Sequence, residues 1–361
     1  MNTILLAIDW GFIIEKLVLI IGIVTISLVI AMYETYAERK VAAVMQDRIG
    51  PDRAGPFGIL QPMADGLKLF MKEEIIPNTS NKLLFIMGPC LAMLTAMMTS
   101  AVIPWGDKIH FTLFGQDRYI SLQIADINIG ILYIFGVVSM GVYGIMIGGW
   151  ASNNKFSLMA ALRGASQVIS YELPMGLSLI ALLMLTGSLK MSSIIGQQLD
   201  SVYYVFYQPL GFLIFLVCAF AECNRTPFDL PEAENELNFG YHQEYSSMKL
   251  GFYLFAEYIN MFISSAVMAT LFFGGYDIPF VNDGNLVEKI GLNWMALLQG
   301  LSLFLKVLFF IFLFMWVRWT IPRFRYDQLM NLGWKTLIPL ALVNMLVTAG
   351  ILLLKNNGWH F

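Results

Sequence analysis

The chain has 361 residues, 58% of them hydrophobic, with a mean hydropathy of +0.68 and a formal net charge of −3. Only 13% are charged, against the ~25% of a typical soluble domain, which excludes an ordinary water-soluble enzyme. Three cysteines (Cys90, Cys218, Cys223) without a CxxC pair, and three histidines (His110, His242, His360), give no zinc, haem or iron–sulfur pattern; no nucleic-acid partner is expected.

Apolar runs of about 20 residues, enough to cross a bilayer core, fall at about 13–33, 83–103, 129–149, 165–186, 202–221, 250–273, 296–317 and 337–354. The expected fold is therefore an all-α, polytopic helical membrane protein with about eight transmembrane helices. It forms one integral membrane domain over residues 1–361, since no internal repeat or linker interrupts it. The first run is too long for a signal peptide and lacks a basic region and a cleavage site. The loops after the first, third, fifth and seventh runs hold 15 of the 22 Lys and Arg residues. They are expected on the cytoplasmic side, with both termini opposite.

After the first run comes the longest polar stretch, 34–82, which opens with Glu38, Arg39 and Lys40 and continues through the turn-rich DRIGPDRAGPFG. Residues 61–73, QPMADGLKLFMKE, place Asp65, Lys68 and Lys72 on one helical stripe and Met63, Leu67 and Phe70 on the other. Two readings stand side by side: an interfacial helix lying on the headgroups, or the wall of a pocket with Asp65 and Lys68 turned inward.

Ionisable residues also enter the spans, where each costs roughly 2.5–3.5 kcal/mol or more in hydrocarbon. At 1.5 Å per residue, Glu172 lies roughly 13 Å from the cytoplasmic end of its run, Glu257 roughly 12 Å and Lys306 roughly 18 Å. Pro174, just after Glu172, loosens that helix. Segment 221–237, AECNRTPFDLPEAENEL, sets Glu222 at the end of an apolar run and adds Asp229, Glu232, Glu234 and Glu236. Locally, Asp229 and Glu232 read as a capping box with Pro231 in a first helical turn. As a set, the acids read as a proton or cation route running from the loop through Glu222, Glu172 and Glu257 to Lys306. Lys306 is expected to pair with Glu172 or Glu257, since an isolated ammonium at that depth is costly.

The stretches ERKVAAVMQDRIGPDRAGPFGILQPMADGLKLFMKE, ALRGASQVISYELPMGL, AECNRTPFDLPEAENEL and RWTIPRFRYDQLMNLGWK resemble the signatures of the quinone-site membrane subunit of respiratory complex I. This is the H-type subunit family of NADH-quinone oxidoreductase. The resemblance implies a subunit of a proton-translocating NADH:quinone oxidoreductase in the bacterial inner membrane. Quinone would be the substrate; NADH, FMN and iron–sulfur clusters would belong to partner subunits, namely the hydrophilic quinone-site subunits and neighbouring membrane-arm subunits. By position, Glu38, Arg39, Lys40, Arg48, Asp65, Lys68, Glu73 and Arg318 match chamber residues. Glu172, Glu222, Glu232, Glu234, Glu236, Glu257 and Lys306 match the coupling path, and no metal site is implied. Asp65 on its amphipathic helix then favours the pocket-wall reading. Cys223 and Asn235 depart from the family pattern, in which a threonine and a small residue are expected. The matching subunit of a membrane-bound hydrogenase, a secondary transporter and a structural anchor are the competing readings.

Overall fold

A computed structural model describes residues 10–113, 116–199, 202–279 and 291–356. The helices are α1 (Trp10–Met45), α2 (Gln61–Met71), α3 (Lys82–Thr99), α4 (Gly130–Ala151), α5 (Lys155–Thr186), α6 (Met191–Leu199), α7 (Tyr204–Tyr207), α8 (Pro209–Glu222), α9 (Glu234–Leu237), α10 (Ser247–Phe272), α11 (Leu292–Thr320), α12 (Tyr326–Asn331) and α13 (Ile338–Asn356). A π-helical stretch, Leu332–Leu337, joins α12 to α13. An antiparallel hairpin, β1 (Lys108–Leu113) and β2 (Gln116–Ser121), lies between α3 and α4.

Among the described residues, seven helical segments are long and apolar enough to cross a membrane. The run at 202–221 does not form one span. Pro209 has no N–H to donate and disfavours helix at the residue before it, and Gln208 is non-helical at φ −131°, ψ 56°. The run therefore breaks into α7 and the 14-residue α8. The polar groups exposed by the break are met from α13: Gln208 donates to Thr348 Oγ1 at 2.7 Å, and Asn344 donates to Gln208 Oε1 at 2.9 Å.

Helix starts follow local chemistry. Asn81 accepts from the Leu83 and Leu84 amides and Asn154 from the Phe156 amide, the side-chain capping that orphan N–H groups require. Glycine sets the closest packing: a Cβ on Gly148 would collide with the Tyr253 hydroxyl, and one on Gly88 would come within 2.9 Å of the Gly148 backbone. Small residues let α3, α4 and α10 approach, as in other membrane bundles. The core is built around α10, the most enclosed of the candidate spans.

α10 is tied at both ends. Where it begins, Ser247 donates to the Leu69 carbonyl at 3.1 Å, Ser246 Oγ accepts from the Ile75 amide at 2.9 Å, and Lys249 pairs with Glu74. Beyond its last turn, Lys306 of α11 donates to the carbonyls of Phe273, Gly275 and Asp277 at 2.8, 2.9 and 2.7 Å. α1, at 36 residues, runs ~54 Å, well past a ~30 Å hydrocarbon core. Its last turns therefore stand in the polar layer formed by the first long loop, by 223–246 and by 321–325.

Candidate functional site

The polar stripe on α2 folds inward. Asp65 and Lys68 line a cavity of about 230 Å³ between α1, α2 and α10, together with Thr35, Arg39, Phe255 and Tyr258. Arg39 pairs with Asp65 at 2.7 Å, and Gln61 donates to its other oxygen at 3.2 Å. Met63, Leu67 and Phe70 point away, 53, 65 and 68% exposed. Lys72 leaves the stripe, because the backbone is already extended there. Arg39 also borders an outer cleft of about 730 Å³ that holds Arg48, Arg53 and Gln61. Lys40 lies over the Tyr36 ring at 5.6 Å. Glu73 is exposed, and its carbonyl accepts from Ser246; it borders neither cavity.

Tyr258 leads from the inner cavity into the charged layer. Its hydroxyl donates to Glu38 Oε2 at 2.8 Å. Glu38 is also paired with Arg318 at 2.6 Å and with Arg225 at 3.6 Å, and Arg225 stacks over the Tyr258 ring at 4.1 Å. One turn earlier on α1, Glu34 is buried, with no hydrogen-bond partner for either oxygen among the described residues. Such a buried network demands partners, because breaking one pair leaves an uncompensated charge. Burial disfavours the Arg225 charge, but Tyr258, Glu38, Glu257 and Glu232 outweigh it and hold the guanidinium protonated.

The 223–233 stretch is a turn-rich loop, not the start of a helix. α9 begins only at Glu234, without a side-chain cap, so the local capping-box reading of Asp229 and Glu232 is overturned. Asp229 is instead drawn to Arg323, which donates to it across the loop from α11 to α12. Burial, with Glu232 adding to it, pushes the Asp229 carboxyl up to about 7 against the pull of Arg323. Glu232 lies 3.7 Å from His242. Glu236 pairs with Arg163 at 2.6 Å at the surface, and the Glu234 side chain lies outside the described residues.

Deeper, Tyr241 donates to Glu257 at 3.1 Å, and burial together with Glu257 and Glu232 pushes the Tyr241 phenol up, so it remains a donor. Glu257 and Glu222 line one cavity of about 40 Å³ with Asn224, Tyr241, Tyr253 and Asn260. Ser139 donates to Glu172 at 2.8 Å. For Lys306 the structure shows backbone partners and sets Glu257, one of its two expected partners, at a distance. Its ammonium is held by the three carbonyls beyond the end of α10, where the helix dipole is negative. Glu257 lies sixteen residues back along that helix from Phe273, ~24 Å away at 1.5 Å per residue.

The fold thus joins Arg39, Asp65, Lys68, Glu38 and Arg318 on one side and Glu222 and Glu257 on the other, and it sets Lys306, Glu73 and Glu236 apart. The sequence reading missed Glu34, Arg225, Tyr258 and Arg323. Glu34 was within reach of it, four residues before Glu38 on one helical face; Tyr258 carried no signal beyond its type.

These features define a class: a polytopic helical membrane subunit with a charged loop layer next to carboxylates inside the bundle. Residues 17–349 match the family described as NADH dehydrogenase. The H-type subunit of the NADH-quinone oxidoreductase of Cytophaga hutchinsonii is 64% identical over 345 residues, 95% of this chain and 98% of that one. Its counterpart in Flavobacterium psychrophilum is 65% identical (96% and 99% covered), and that of Thermomicrobium roseum 47% identical (94% and 96% covered). The chain belongs to the H-type subunit family of NADH-quinone oxidoreductase, the membrane subunits of complex I.

Proposed function

We propose that this chain forms the membrane-side wall of the quinone chamber of a bacterial inner-membrane NADH:quinone oxidoreductase, and the first section of its proton-coupling path. The observation that carries this reading is Tyr258. It lines the cavity shared by Arg39, Asp65 and Lys68, and its hydroxyl binds Glu38. A charge change in the cavity therefore reaches Arg225 and, through its field, Glu257 and Glu232. At about 230 Å³ the cavity is smaller than the ~300–1,000 Å³ of a typical ligand pocket, so hydrophilic partner subunits supply the remaining walls.

Electrons reach quinone from NADH through FMN and iron–sulfur clusters in those partners. Two electrons and two protons convert quinone to quinol, and negative charge arriving ahead of protons acts strongly on nearby ionisable groups where the dielectric is low. Asp65, Arg39 and Lys68 meet that charge first. Glu38, Arg225 and Glu232 pass its field to Glu257, Glu222 and Glu172. The single-domain architecture and the cytoplasmic placement of the charged layer belong to the same reading.

Asp65→Asn tests it. Losing one charge-assisted hydrogen bond is worth ~1.5–3 kcal/mol, so NADH:quinone turnover should fall roughly tenfold or more. Electron transfer from NADH to ferricyanide bypasses quinone and should hold. Equal loss of both activities would mean an assembly defect and would overturn the site.

A further inference from the structure

Glu222 touches two cavities. The first is the one of about 40 Å³ it shares with Glu257. The second, of about 50 Å³, runs between α3, α4, α5, α8 and α10 and is lined mainly by apolar side chains with Thr99, Glu222, Asn260 and Ser264 as polar contributors. Only Val138, Glu222 and Asn260 border both. Val138 is apolar, so the polar part of the septum is the Glu222 carboxylate and the Asn260 amide. Glu222 Oε2 is buried with no hydrogen-bond partner among the described residues, and a buried carboxylate oxygen requires one.

The placement of Asn260 follows from helix geometry. Glu257, Asn260 and Ser264 stand at i, i+3 and i+7 on α10, one stripe of a single face. That stripe begins in the first cavity and ends in the second. A polar cavity needs only ~10–15 Å³ to hold a water that finds two to four partners. Both cavities meet that size; the first supplies hydroxyls, amides and carboxylates, whereas the second is mainly apolar and offers polar partners only at Thr99, Glu222, Asn260 and Ser264.

We propose that Asn260 is a positioning residue that orders water against Glu222, and that it makes the Glu257–Glu222 step continuous with the second cavity toward Thr99. A proton leaves the Glu257 carboxyl for a neighbouring water, and that water chain delivers a proton to the Glu222 carboxylate. The Asn260 amide donates and accepts hydrogen bonds throughout and changes no protonation state. The path beyond Glu222 then leads along the α3–α4–α10 seam, not to Lys306. This inference rests on the coupling-path reading above.

The test uses the whole enzyme complex in proteoliposomes, with rates normalised to NADH:ferricyanide activity. Asn260→Leu keeps the branching at Cγ, adds some volume and removes both hydrogen-bonding functions. It should lower coupled NADH:quinone turnover at least fivefold and enlarge its solvent deuterium isotope effect, while Asn260→Ser should restore turnover to within twofold. Asn260→Ala decides by the same criteria if the leucine variant does not assemble. Unchanged turnover and isotope effect in the variant lacking the amide, or a loss that serine does not restore, overturns the role of Asn260. Glu222→Gln is measured alongside. If it is impaired while Asn260→Leu is not, the proposal alone fails; if Glu222→Gln turns over and pumps normally, the coupling path fails and takes the proposal with it.

Discussion

Asp229 is a carboxyl poised at neutrality by its burial and by Glu232, with Arg323 pulling the other way. Its folded value of about 7 lies above the ~3.9 of an unfolded chain. Between those limits the folded state holds the extra proton, so this group's contribution to stability is full below the unfolded value and is lost as pH rises toward 7. Asp229→Asn should flatten the pH dependence of thermal stability across pH 4–7, measured as the denaturation midpoint of the purified complex. It should also remove a carboxyl band that titrates near pH 7 in infrared difference spectra. Arg323→Gln removes the guanidinium hydrogen-bonded to Asp229 and should move that titration upward. Lys306 makes a different prediction. With its ammonium on carbonyls and Glu257 ~24 Å along the helix, the losses from Lys306→Met and Glu257→Gln should add to within ~0.5 kcal/mol in a double-mutant cycle on coupled turnover. A coupling above ~1 kcal/mol would contradict that separation.

At the scale of elements, the close approach of α3, α4 and α10 depends on residues without side chains. Gly148→Val would drive a branched side chain into Tyr253, whose hydroxyl donates to the Gly144 carbonyl at 3.1 Å. Overpacking of this kind typically costs ~1–3 kcal/mol, and here it would also displace α10 and Glu257. The amount of assembled complex on a native gel should fall severalfold, whereas Gly136→Ala, with open space around its Cβ position, should leave it unchanged. The elements were largely legible in the sequence because bilayer-length apolar runs have few alternatives. The exception is the run at 202–221, which has the length of a span and only Pro209 to mark where it divides. The inward stripe of α2 was legible from spacing alone. Which basic residues Glu38 would gather was not, because Arg225 and Arg318 lie far away in sequence and meet it only through packing.

For the whole molecule, the asymmetry of charge predicts an orientation. The first long loop, 223–246 and 321–325 converge around Glu38, Asp229 and Glu74 through pairs with Arg225, Arg318, Arg323 and Lys249, while the β1–β2 hairpin docks on α11 by a reciprocal pair of hydrogen bonds between His110 and Asn293. In a Cys90→Ser background, Ser80→Cys should react with a membrane-impermeant thiol reagent only from the cytoplasmic side. Tyr119→Cys should react only from the opposite side. Reversed labelling would invert the orientation inferred from the basic loops.

Because α10 is moored at its start by Ser246, Ser247 and Lys249 and beyond its last turn by Lys306, it cannot work as a piston. Sliding by one turn, ~5.4 Å, would tear both moorings at once. On the proposed coupling path the helix is a fixed support, held in register at both ends. Distances between spin labels on α10 and α11, measured by pulsed electron paramagnetic resonance in resting and turning-over enzyme, should therefore agree to within ~1 Å.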